Sequence, residues 1–114
     1  MTIKKEPFHP GEYLISEGPG SISRETVTLA AGPTLYSGQL LGQITSSKQY
    51  APYNPAATDG TKKAVAILHN TAPASAKARP ALVIIRLAEA SRARLTGLDA
   101  AAETALASQY IIVR

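Results

Sequence analysis

Residues 50–68 read Tyr-Ala-Pro-Tyr-Asn-Pro-Ala-Ala-Thr-Asp-Gly-Thr-Lys-Lys-Ala-Val-Ala-Ile-Leu, and they constrain the fold more than any other stretch. Pro52 and Pro55 stiffen a polar loop, Asp59-Gly60 supplies a turn, and residues 64–68 form a short apolar run that reads as a buried strand. Tyr50 and Tyr53 flank the prolines. None of these residues sits in a pattern that performs chemistry. A stiff loop feeding a buried strand is shape, and it points to a chain that fits against another surface.

Composition agrees with that reading. A chain of 114 residues is one domain with one modest core. Many of its apolar residues, 45% of the chain, are alanine, with no Trp, one Phe and one Met, so burial returns little free energy per residue. Eight Gly and eight Pro imply an irregular, loop-rich fold. Such a chain gains stability by oligomerising or docking, because a partner that binds only the native state stabilises it by mass action. Cysteine is absent, which excludes disulfides, thiolate zinc sites and Cys nucleophiles. The first ten residues carry Lys4 and Lys5 without an apolar run behind them, so no signal peptide is expected, and no stretch reaches the length of a membrane span.

The net charge is +4, distributed unevenly. Up to Glu25 there are three basic and four acidic residues; beyond it there are nine and four. The densest basic groups are Arg86, Arg92 and Arg94, with Glu89 among them, and Lys62-Lys63. Neither has interleaved aromatics, so a solvated surface is the first expectation, a face for an acidic partner the second, and a small basic nucleic-acid-binding module the functional alternative.

The expected architecture is mainly β with one short C-terminal helix. Residues 1–22 contain Pro7, Pro10 and a Gly18-Pro19-Gly20 breaker, and are expected to form a flexible arm ahead of a single β-rich domain over residues 23–114. Within the arm Ile3, Phe8, Tyr13, Leu14 and Ile15 are apolar anchors that either order on contact with a partner or cover the domain's own core. Residues 24–29 alternate as a half-buried strand. Residues 39–45 read as a second strand interrupted by Gly42, where an interior glycine marks a bulge or a close backbone approach. Residues 81–87 form the most apolar run and the best central strand. Residues 91–95 alternate so that Arg92 and Arg94 share one face of an extended segment. The Ala-rich stretch from Leu98 to Ser108 is the one convincing helix, begun either by a box around Thr96 or by Asp99 as cap, and residues 110–114 close the chain as a strand.

No catalytic pattern emerges. His9 and His69 stand apart without a carboxylate at ligand spacing, and the glycines do not form a phosphate loop. Asp59, Glu89, Asp99 and Glu103 show no grouping that would hold a metal. The chain is not expected to be an enzyme or to need a cofactor.

The segments Gly38-Gln-Leu-Leu-Gly42-Gln-Ile-Thr45, Tyr50 through Gly60 and Ala64-Val-Ala-Ile-Leu68, followed in order by the strand over 82–87, the helix after Leu98 and the closing strand, resemble the lambda-type phage head decoration proteins. That resemblance spans roughly residues 24–114. It implies a compact β-clip-like fold and a protein that binds the outside of the expanded head as homotrimers at three-fold positions, stabilising it against packaged DNA. It also implies the major capsid protein as partner, engaged through an N-terminal arm, on which the apolar Ile3, Phe8, Tyr13, Leu14 and Ile15 are the candidate contacts. Tyr50, Pro52, Tyr53 and Pro55 become candidates for a trimer or capsid contact. No membrane or nucleic-acid partner is expected.

Overall fold

A computed structural model describes residues 12–114, as a mainly β globule with one short helix near the C-terminus. Five strands close a small barrel: β2 (Arg24–Leu29), β3 (Leu40–Gln43), β4 (Tyr50–Pro52), β5 (Ala66–Leu68) and β6 (Arg79–Ile84), in the order β2-β4-β3-β5-β6. The β2–β6 ladder is the longest, six antiparallel pairs from Arg24↔Ile84 to Leu29↔Arg79. The barrel closes where β2 meets β4 in a parallel contact, Leu29 beside Tyr50, with the Ala30 amide donating to the Tyr50 carbonyl at 2.8 Å. Closure removes sheet edges that such short strands could not protect.

A second, three-stranded sheet has the order β1 (Leu14–Glu17), β7 (Ala88–Ala90), β8 (Ile111–Val113). β1 runs antiparallel to β7 with a bulge between Leu14 and Ser16, and β7 runs parallel to β8. Parallel neighbours need a crossover. Here a single 3₁₀ turn (Arg92–Arg94) and α1 (Ala100–Ala107) supply it.

The strands of the barrel serve two cores at once. From β3, β5 and β6 respectively, Leu41, Ala66 with Leu68, and Ala81 with Val83 point into the barrel, joined there by Leu29 and Tyr50. The alternate residues Leu40, Ile67 and Ile84 point outward into a cluster with Ala88, Ala90, Ala102, Leu106 and Ile111 from the small sheet and the helix. Period-2 alternation therefore buries both faces, which is why these strands read as continuous apolar runs. The abundance of alanine follows: Ala66, Ala81, Ala88, Ala90 and Ala102 sit where layers approach closely.

Gly42 marks the close approach expected of it. A Cβ there would lie 2.5 Å from the Thr61 Cα and 2.8 Å from the Thr61 carbonyl oxygen. The helix starts at Asp99, whose carboxylate accepts from the Ala102 amide at 2.7 Å. Between the two caps weighed in the sequence, the structure has Asp99. The same carboxylate receives the Tyr53 hydroxyl at 2.9 Å, tying the proline loop to the helix. At the other end, the Gln109 side chain donates to the carbonyls of Val65 and Ile85 at 2.8 and 2.7 Å, fastening the helix exit to the barrel.

Three expectations need correction. Residues 14–22 belong to the fold: β1 pairs with β7 and Tyr13 is fully buried, so an arm reaching residue 22 is too long. Residues 92–94 form the 3₁₀ turn, and Arg92 and Arg94 part to Glu103 and Glu12. The proline loop begins with a strand, because Tyr50–Pro52 lies antiparallel to β3.

Candidate interaction surface

The sequence-derived candidates scatter when placed on the fold. Ile3 and Phe8 lie outside the described residues. Tyr13 sits in the core, and its hydroxyl is buried with no hydrogen-bond partner among the described residues; burial pushes its pKa well above the ordinary phenol value. Leu14 packs against the same cluster. Ile15 alone among the described arm anchors turns outward, 52% exposed. In the loop, Tyr50 fills the barrel and Tyr53 faces the helix, and burial raises both phenols. Pro52 and Pro55 are exposed. The loop thus alternates in and out, and its four candidates do not share a surface.

A different surface gathers four of the six exposed large apolar side chains among the described residues. On the outer face of the small sheet, Ser16, Glu89 and Ile112 form a row across the three strands, by the pairs Ser16↔Glu89 and Glu89↔Ile112. Beside this row stand Leu87 and Tyr110, one residue before the paired Ala88 and Ile111. Leu87 is 42%, Tyr110 70% and Ile112 45% exposed. A shallow groove runs between them and Gly18. Ile22, also exposed, borders it, since a Cβ on Gly18 would meet both Ile22 and Leu87.

The backbone here is unusual. Leu87 and Tyr110 adopt left-handed conformations, φ 52° and 63°, that large side chains rarely take. Each costs about 1 kcal/mol or more relative to glycine. The conformation at Leu87 is held by its carbonyl, which accepts from the Gly18 amide at 2.9 Å and the Ser23 hydroxyl at 2.8 Å. The Tyr110 carbonyl accepts from the Ala88 amide at 3.1 Å. Neither residue is glycine or asparagine, so no sequence signal marks the surface.

Charge around the groove is neutralised locally. Glu17 accepts from Arg24 at 2.7 Å, which holds its carboxyl below the usual range, and Glu89 pairs with Arg114 at 2.9 Å. The same holds across the molecule. Arg86 pairs with Glu25, Arg92 with Glu103 and Arg94 with Glu12, while buried Arg79 donates to the Pro33 carbonyl at 2.9 Å and to that of Pro73. All six arginines are thereby engaged within the fold. The four acids outside the N-terminal quarter are engaged too: Asp59 with Thr61, Asp99 with the helix and Tyr53, and Glu89 and Glu103 with arginines. Among the described residues no three His, Cys, Asp or Glu side chains come together to hold a metal ion.

The family model described as bacteriophage lambda head decoration protein D matches residues 3–111, nearly the whole chain. No curated protein matches it. The chain belongs to the family of the phage lambda head decoration protein D, and with that membership come a structural role and association with a phage head.

Proposed function

We propose that this member of the head decoration family binds the outer surface of the expanded head as trimers at three-fold positions and holds the shell against the pressure of packaged DNA. The observation that carries the reading is the family match, which includes residues 3–11 as well as the folded body. The major capsid protein is the partner, and residues 1–11, with Ile3 and Phe8, reach it by adding a strand to an exposed sheet edge of the shell.

Magnitudes define what that arm can do. For an arm that orders only on contact, each residue costs about 1–2 kcal/mol. Burying Ile3 and Phe8 returns roughly 3–6 kcal/mol. Strand hydrogen bonds add to this, but a single arm binds weakly. Three arms on one trimer act together, and such linkage raises avidity about 10²–10⁴-fold. A protein that binds only the expanded lattice shifts the equilibrium towards it by mass action.

The test is co-sedimentation of the purified protein with expanded heads lacking decoration, with unexpanded procapsids and with free DNA. Saturable binding to expanded heads alone, in multiples of three, is the expected result. Binding to DNA and to neither shell would overturn the proposal in favour of a basic nucleic-acid-binding module.

A further inference from the structure

We infer that the outer face of the small sheet around Leu87, Tyr110 and Ile112 is a second contact with the head shell, and that it receives an uncharged apolar segment of the shell subunit. This rests on the decoration role proposed above. Three observations carry it.

Leu87 and Tyr110 immediately precede the paired Ala88 and Ile111 of neighbouring strands, both in left-handed backbone and both apolar and exposed. Strained positions occupied by residues that neither fold nor solubility favours mark a surface maintained for contact. The occupant's chemistry follows from the rim. Glu17 and Glu89 already hold Arg24 and Arg114, so a charged ligand would find no unmatched partner there, whereas an apolar segment would cover Leu87, Tyr110 and Ile112 without breaking an ion pair.

Position selects the shell over a second copy of the chain. Residues 1–11 lead into the described fold at Glu12, two residues before β1, an edge strand of this same sheet, and the groove lies one strand length on, between Ser16–Gly18, Leu87–Glu89, Tyr110 and Ile112. A shell subunit engaged by the arm is therefore brought to this face by the covalent connection. The face is already ordered before contact, so binding there costs little conformational entropy.

The test uses the full chain with Leu87→Asn and Tyr110→Asn combined. Asparagine tolerates the left-handed region, so the melting temperature should hold or rise while affinity for expanded heads falls at least tenfold. A separate Ile112→Thr variant keeps strand propensity, removes apolar area and should also weaken binding. Undiminished binding by both variants, with the native chain bound, overturns the second contact and leaves the decoration role intact. Failure of the native chain to bind overturns both. A change in oligomeric state by light scattering in the double variant would assign the face to a contact between copies and overturn the shell assignment.

Discussion

Tyr13 shows how far a single residue can mislead. By sequence it is an aromatic anchor on a proline-flanked arm; in the fold it fills the main core, its hydroxyl without a partner among the described residues. An unsatisfied buried hydroxyl carries a desolvation cost that nothing offsets. Tyr13→Phe should therefore leave the melting temperature unchanged or raise it, and leave head binding untouched; a loss of several degrees would mean that the hydroxyl has a partner. Glu17 makes an opposite case. Arg24 holds its carboxyl below the ordinary range, so the pair contributes stability that is present above about pH 4.3, the unfolded value, and is lost as pH falls through the lower folded one. Both side chains remain partly exposed, so solvent screening keeps the pair's contribution small. Glu17→Gln should lower the melting temperature by about 2–4 °C at neutral pH, and the gap should close on acidification below that value. Thermal scans from pH 7 to pH 2.5 check it. Gly42 and Asp99 were legible because an interior glycine and a cap residue act through local geometry. Leu87 and Tyr110 were not, since their backbone is set by hydrogen bonds to Gly18, Ser23 and Ala88 from elsewhere.

At the scale of elements, what the sequence revealed depended on how much of each element's burial is periodic. The strand over 24–29 alternates, and the helix was clear because one capped, Ala-rich stretch carries it. β4 was hidden by its prolines: only three residues pair, and Pro52 sits at the strand's end, where a missing donor matters little. β7 is Ala-Glu-Ala, too short and too small to register as a strand, yet it is the centre of the second sheet. The Asp99 carboxylate joins these pieces by capping the helix and receiving the Tyr53 hydroxyl. Asp99→Ala should lose more than the roughly 1 kcal/mol of an ordinary cap, because it also strands the Tyr53 hydroxyl. Asp99→Asn, which can still accept both bonds, should recover most of the loss in a denaturant titration.

Over the whole molecule, the question is where the arm ends. A boundary at residue 22 treats everything ahead of β2 as dispensable, but β1 closes one edge of the small sheet and Tyr13 and Leu14 pack into the larger core. Removing a fully buried aromatic leaves a cavity that typically costs about 3–5 kcal/mol, a large share of the stability of a domain this size. Two truncations separate the arm from the fold. Deleting residues 2–11 should leave a cooperative thermal transition within a few degrees of the native chain while abolishing sedimentation with expanded heads. Deleting residues 2–21 should lower the transition by well over 10 °C or remove it, because β1 and Tyr13 go with the arm. If the longer deletion melts like the shorter, β1 is dispensable and the arm does extend into the twenties. If the shorter one still binds heads with native affinity, the contact lies in the body, and the face around Leu87, Tyr110 and Ile112 becomes the main seat, with the arm no more than an accessory.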